Sequence, residues 1–273
     1  MATFRAACEA EDENLARIIH HAFRLAWEAN WWSNLSSPLR KLDHLVLVDP
    51  EQKATVAGGQ PLNQQEQARL DLYRSIIKLT RSIGGSVNTA TIISINSGVI
   101  TPVAVSLWFP PHVRPSILSE YRTGVISAIT GLGIRGIYRL ISFQNSTKSL
   151  YSSSLPGLGI RHEDCAYVWM LATDPEFTGH GYAKDLLRWQ IKQHLQKHPD
   201  VPVLLETSTG YAAKIYEKVG FREIAKTELR IDVDSVGLPD HNILTEEQKR
   251  QRAKKHAVRA MLFETNNFRG LEI

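Results

Sequence analysis

The sequence predicts a mixed α/β fold, on three observations. β-rich runs alternate with amphipathic helical patterns along the chain. The 273 residues are 43% hydrophobic and 22% charged, ordinary globular values that exclude a disordered, collagenous or coiled-coil chain. Near the middle stands a strand, a glycine-containing turn and a strong helix in immediate succession. A chain of this length can bury a full core without disulfides or structural metal. We read it as one domain, 1–273, with a helical insertion at about 110–159.

The first segment reads as a short strand, Thr3 to Ala7, followed by a helix. Ala16, Ile18, Ile19, Ala22, Phe23 and Ala26 recur at helical spacing. The acids of Glu9–Glu13 stand near its N-terminus, where the helix dipole favours them. Trp27, Trp31 and Trp32 follow, and read either as a packed corner or as an aromatic wall for a substrate. Gln64 to Ser82 is a second helix, ended by Gly84-Gly85. Thr89 to Ile95 and Val99 to Phe109 are β runs separated by Asn96-Ser97-Gly98, a hairpin signal. Pro102 inside the second run marks an edge or a bulge.

From Pro115 to about Leu150 the pattern is helical but broken by Gly124, Gly131, Gly133 and Gly136. Ser146 to Gly159, rich in Ser and Gly, reads as loop. Tyr167 to Thr173 is a strand, Gly181 to Lys197 a helix, Val201 to Thr207 a strand, and Tyr211 to Val219 a short helix stopped by Gly220. Strands near Glu223–Val233 and Ala257–Glu264 close the chain. Between them Thr245-Glu246-Glu247-Gln248 opens a basic helix with a capping box.

Charge and cysteine content narrow the function. There are 32 basic against 28 acidic side chains, a net charge of +4 with no massed positive face. The basic run Lys249–Lys255 lacks the aromatic interleaving of a nucleic-acid surface, so no nucleic-acid partner is expected. Cys8 and Cys165 cannot build a disulfide framework or a CxxC metal site, and no metal is expected. The N-terminus has no apolar signal core and no run is long enough to span a bilayer, so no membrane partner and a cytoplasmic location are expected.

The chemistry concentrates in two stretches. Tyr167–Thr173 leads through Asp174-Pro175 to Thr178-Gly179-His180-Gly181-Tyr182-Ala183, where the helix begins. Two glycines there let successive N–H groups point outward at the positive end of a helix dipole, an arrangement suited to a pyrophosphate. Downstream, Val203–Ser208 is a strand, followed by the helix that carries Tyr216. A tyrosine hydroxyl there is a suitable proton donor to a departing thiolate.

Together these stretches resemble the GNAT superfamily of acyl-CoA-dependent N-acyltransferases. The family pattern Gln/Arg-x-x-Gly-x-Gly/Ala falls on Thr178–Ala183, and its Tyr-Glu-Lys-x-Gly-Phe ending on Tyr216-Glu217-Lys218-Val219-Gly220-Phe221. Thr178 stands where the family has Gln or Arg, and Thr209 where Asn is common. The resemblance implies a central mixed, mostly antiparallel sheet, splayed between strands 4 and 5 and flanked by helices, with the CoA-binding core at about 160–225.

It also implies acetyl-CoA as co-substrate. Its pantetheine would run beside Met170, Leu171, Ala172 and Thr173, and its pyrophosphate would lie on the N–H groups of Thr178, Gly179, His180, Gly181, Tyr182 and Ala183. Thr209 and Ala212 would complete the coenzyme site, and Tyr216 would protonate the thiolate. Glu206 is the leading candidate for the base, with His162 second. Cys165 has no base beside it, which favours direct transfer. Trp27, Trp31 and Trp169 are the candidate acceptor-side residues. The expected activity is acetylation of a primary amine on a small molecule. A protein (lysine or N-terminal) acetyltransferase and a silent CoA-binding protein are the alternatives, and a homodimer is left open.

Overall fold

The computed structural model describes residues 2–42, 61–93, 99–240, 242 and 244–264. Seven strands, β1 (Thr3–Ala6), β2 (Ser86–Ile93), β3 (Ile100–Phe109), β4 (Ala166–Thr173), β5 (Val203–Thr207), β6 (Phe221–Glu228) and β7 (Ala257–Phe263), form one sheet in the order β1-β2-β3-β4-β5-β7-β6. Every neighbouring pair is antiparallel except β4 and β5. That parallel pair is matched only from Ala166↔Val203 to Val168↔Leu205. Beyond Val168 the two strands part, and the rest of β4 has a free edge on that side. The expected mixed sheet, splayed between its fourth and fifth strands, is the one observed.

Helices cover both faces. They are α1 (Asp12–Phe23), α2 (Trp27–Trp32), α3 (Gln64–Ser82), α4 (Ile117–Thr123), α5 (Val125–Thr130), α6 (Gly133–Ser154), α7 (Tyr182–Lys197), α8 (Gly210–Glu217) and α9 (Glu246–Lys255). Alternation along each strand sorts the core into two layers. Val168, Val203, Leu205, Met261 and Phe263 meet Leu187 and Ile191 of α7 and Ala213 of α8. On the other face Tyr167, Leu204, Ala260 and Leu262 meet Leu150 and Tyr151 of α6, while Val105 and Leu107 meet α1 and α3.

α3 spans the predicted residues, and Asn63 and Glu66 cap it reciprocally. α9 opens with the expected box, Thr245 accepting from the Gln248 N–H. Pro102 lies at a bulge: it faces Thr91, and the register shifts between Ala90 and Thr91. A bulge lets an interior strand hold a proline at a position where no ladder N–H is required. β2 starts three residues earlier than predicted. The Asn96-Ser97-Gly98 turn lies outside the described residues.

Two readings are corrected. Ser146–Ser154 is not loop but the second half of α6. Its hydroxyls turn back onto the helix's own carbonyls, Ser146 to Ser142, Thr147 to Phe143 and Ser154 to Leu150, at 2.7–3.1 Å. Leu150 and Tyr151 bury beneath them. Packing overrides a composition that favours turns. The strand predicted to reach Val233 ends at Glu228, and Val233 makes only an isolated bridge to Pro239.

Candidate active site

The coenzyme side is built from backbone. β4 ends at Thr173, and Asp174 caps the turn Pro175–Phe177 by accepting from the Glu176 N–H at 3.0 Å. The chain then passes through Gly179 and Gly181, with φ of 84° and 81°, before α7 starts at Tyr182. These left-handed angles are the reason for both glycines, since any side chain there would be strained. A Cβ at Gly179 would meet nothing within 4 Å, so the space in front of the turn is open.

The N–H groups of Gly179, His180, Gly181, Tyr182 and Ala183 have no acceptor among the described residues. Gly181 offers no side-chain cap. A row of free donors at the N-terminus of a four-turn helix, with open space before it, fits the pyrophosphate of CoA.

Side chains contribute less here. The Thr178 hydroxyl donates to the Pro175 carbonyl at 3.0 Å, back into its own turn. His180 is exposed and stacks on Tyr182 with ring centroids 5.6 Å apart. Thr209 caps α8, accepting from the Ala212 N–H at 3.1 Å. That cap occupies the hydroxyl which the sequence assigns to the coenzyme. Leu171, Ala172 and Thr173 follow a register shift in β4: Leu107 pairs with Met170 but Trp108 with Val168, leaving Trp169 as the extra residue. The bulge falls where β5 departs, and re-aims the backbone into the opening.

Tyr216 lies on α8, partly buried against the layer of Val219 and Phe221, its ring 6.1 Å from Phe221. Its hydroxyl has no hydrogen-bond partner among the described residues. Burial, reinforced by the Glu206 charge, pushes its pKa up to about 12. It is therefore protonated across the physiological range, as a proton donor must be.

Through the splay, on the opposite face, stands Glu206. Its carboxylate accepts from the Tyr151 hydroxyl at 2.8 Å and from the Tyr167 hydroxyl. Burial raises its pKa, against the lowering effect of both tyrosines and Arg114. The Arg114 guanidinium lies 5.3 Å from the Tyr167 ring and donates to the His162 and Cys165 carbonyls at 2.8 and 3.0 Å. His162 packs 4.8 Å from the Tyr151 ring. Burial, then Arg114, brings its pKa down to about 4, so it is neutral at pH 7. Cys165 is buried and its thiol is pushed up to about 12, chiefly by that burial, which makes it a poor nucleophile.

The predicted aromatic residues divide. Trp27 is buried, and its indole donates to the Ser208 carbonyl at 3.2 Å. Its ring meets Phe143 of α6 and His256. Trp169 lies 5.2 Å from Phe109 on the Glu206 face, next to the splay. Trp31 is stacked by Arg139, which also holds its carbonyl at 3.0 Å. Trp27 and Trp169 thus border the region beyond β4 and β5, while Trp31 packs at the junction of α2 and α6.

The sequence reading missed Tyr151, Tyr167, Arg114 and Glu28. Tyr151 sat in a stretch read as loop. Glu28 follows Trp27 and is 8% exposed, and its Oε2 has no partner. The α2 segment holding it is pinned by Gly237, where a Cβ would come within 2.0 Å of the Trp27 carbonyl oxygen. Among the described residues, no group of three or more His, Cys, Asp or Glu side chains is placed to hold a metal ion. No helix among them is long and apolar enough to cross a membrane.

Residues 145–233, from the second half of α6 to beyond β6, match the family model described as an acetyltransferase (GNAT) domain. Over this segment, about a third of the chain, the protein is similar to GNAT acetyltransferase domains. That family consists of acyl-CoA-dependent N-acetyltransferases, whose co-substrate is acetyl-CoA. Among solved structures, arylalkylamine N-acetyltransferase 2 from Aedes aegypti is similar at 14% identity, with 97% of this chain and 99% of that one covered and a TM-score of 0.51. A mosquito arylalkylamine N-acetyltransferase-like 5b gives 16% identity, 97% and 100% coverage and a TM-score of 0.47. Drosophila melanogaster polyamine N-acetyltransferase gives 13%, 97%, 100% and 0.44. The first of these supports the fold. No curated protein matches this chain's sequence.

Proposed function

We propose that this protein moves the acetyl group of acetyl-CoA directly to a primary amine of a small molecule. The observation that carries the reading is the opening between β4 and β5, with free main-chain donors at one end and Tyr216 and Glu206 on its two sides. Bound there, acetyl-CoA supplies an activated thioester.

In this reading the N–H groups from Gly179 to Ala183 hold the diphosphate, and the backbone of Leu171–Thr173 aligns the pantetheine. The bulge at Trp169 directs main-chain N–H groups toward the carbonyl oxygen, where they stabilise developing negative charge. The amine nitrogen attacks the carbonyl carbon and the carbon–sulfur bond breaks. The Tyr216 hydroxyl gives its proton to the sulfur. The surplus proton of the amine passes to Glu206, directly or across the Tyr151 and Tyr167 hydroxyls that already bind it. His162, with its lowered pKa, is the weaker base of the two and packs beside Tyr151.

A small-molecule acceptor is supported by the closed character of the Glu206 face. Trp27, Tyr151, Tyr167 and Trp169 cover it, and α6 lies across it. A solved structure of this fold, arylalkylamine N-acetyltransferase 2 from Aedes aegypti, is named for a small-amine acceptor. The test is thiol release from acetyl-CoA with a panel of small amines, lysine peptides and free N-terminal peptides. Release with small amines alone is the expected result. Release with peptides alone would assign a protein substrate, and CoA binding without release would assign a silent coenzyme-binding protein.

A further inference from the structure

Glu28 is the buried charge that this mechanism leaves unused. It sits at the start of α2, and three observations place it against the acceptor side of the opening. The preceding Trp27 donates its indole N–H to the carbonyl of Ser208, at 3.2 Å. The Ser208 hydroxyl itself reaches the Glu28 carboxylate. Trp27 also packs in one layer with Tyr151, Tyr167 and Leu204, on the face of the sheet that carries Glu206. Glu28 is therefore held beside the face that carries Glu206, next to the aromatic rings of that layer.

The Glu28 carboxylate is 8% exposed and its Oε2 has no partner among the described residues. A buried oxygen of this kind calls for a donor. The cation that acts on it from the core is Arg69, whose hydrogen bonds go to other groups. It donates to the Tyr73 hydroxyl, the carbonyls of Phe23 and Ala29, Asn30 Oδ1 and Ser33 Oγ, all at 2.9–3.2 Å. Tyr216, the proposed proton donor, lies on α8 in the layer on the other face of the sheet from Trp27. A positive group seated at Glu28 is thus set back from the place where the acetyl group transfers.

We infer that Glu28 binds a second cationic group of the acceptor, so that the preferred substrates are small aliphatic diamines or guanidino-amines rather than monoamines. One ammonium enters the opening and is deprotonated toward Glu206, while the other end donates to Oε2 of Glu28. The surrounding aromatic faces favour a cation over a neutral chain end. This inference rests on the acetyl-transfer reading above.

The test compares 1,4-diaminobutane with 1-aminobutane in the thiol-release assay, for the native protein, Glu28→Gln and Glu28→Asp. A charge-assisted hydrogen bond in a buried site gives the native protein a kcat/KM about tenfold or more higher for the diamine. Glu28→Gln brings that ratio close to one, mainly by raising KM for the diamine. Glu28→Asp restores part of it. Thermal unfolding of each variant checks that Arg69 has not been destabilised.

A native ratio near one overturns the inference and leaves acetyl transfer standing. So does an equal loss on both amines in Glu28→Gln, which would make Glu28 a general proton acceptor or a counter-charge to Arg69. If neither amine releases thiol, the transfer reading fails by itself. Calorimetry of the two amines against the CoA-loaded protein then decides the site. Tighter diamine binding that disappears in Glu28→Gln upholds it, and equal binding of the two amines overturns it.

Discussion

The two sides of the opening between β4 and β5 are made in different ways. On the proposed coenzyme side the polar groups are backbone: two left-handed glycines and the start of α7 present N–H groups, and side chains such as Thr178 turn away. On the acceptor side, the polar groups are side chains drawn from α2, α6, β4 and β5, held by contacts such as Tyr151 to Glu206 and Trp27 to Ser208. The first arrangement is local and tolerates change in side-chain type. The second is long-range, and each member depends on the others. Substitutions on the acceptor side should therefore alter chemistry and specificity, and those on the coenzyme side affinity.

The strongest break of this comparison is at Tyr216, which stands on the coenzyme face but in the proposed mechanism serves the chemistry. Tyr216→Phe keeps the ring against Phe221 and removes only the hydroxyl. Turnover is expected to fall about 10²–10⁴-fold, the usual range for a lost acid–base group, with CoA affinity nearly unchanged. Steady-state kinetics beside calorimetric CoA binding separates the two. Equal losses in both would make Tyr216 a packing residue.

The contrast explains how much of this molecule is legible in its sequence. The coenzyme side lies within two short local units, the turn before α7 and the β5–α8 pair, so Gly179, Gly181 and Tyr216 stand out through the family pattern those stretches carry. The mixed sheet and its splay followed from the resemblance those residues carry, whereas the strand order did not. Glu28 and Tyr151 have no such signal. Their partners lie 180 and 55 positions away in sequence, and only the folded sheet brings Ser208 and Glu206 to them. Tyr151 was hidden further by serines whose hydroxyls bond within the helix instead of breaking it. Periodicity reports a helix's own buried face, but not which distant side chain that face will meet.

Gly181 tests the backbone side. At φ of 81° a β-branched residue is strained, although the nearest atoms to a Cβ there, Asp185 Oδ2 and Lys184 Cε, leave room at 3.6–3.7 Å. Gly181→Val is expected to cost about 1–3 kcal/mol of stability. As the turn shifts, CoA affinity falls about tenfold, the equivalent of 1.4 kcal/mol. Stability lost with affinity unchanged would move the phosphates away from this turn.

Glu206 tests the side-chain half through pH. Burial raises its pKa from the usual 4.5, so it becomes protonated, and unable to accept the amine's proton, at a higher pH than an ordinary carboxylate. Activity should thus rise with pH through a limb above 4.5. The limb cannot belong to His162, whose pKa is lowered to about 4. Glu206→Gln keeps acceptor capacity for one tyrosine and is expected to abolish the limb along with most turnover. A variant that retains both the rate and the limb would remove Glu206 from the proton path.

The smallest effect is the sharpest control, because it compares two equivalent caps. Thr209 accepts from the Ala212 N–H at the start of α8, and Thr245 accepts from the Gln248 N–H at the start of α9. Replacing either threonine by Ala is expected to cost about 1 kcal/mol of stability, measured by denaturant unfolding. α8 carries Tyr216, whereas α9 lies among exposed basic residues away from the opening. Thr209→Ala should therefore also lower turnover several-fold by loosening the helix that positions the acid, while Thr245→Ala should leave kcat unchanged. If the two variants lose stability alike and neither loses turnover, the placement of Tyr216 is fixed by its packing against Val219 and Phe221, and the cap is a stability element alone.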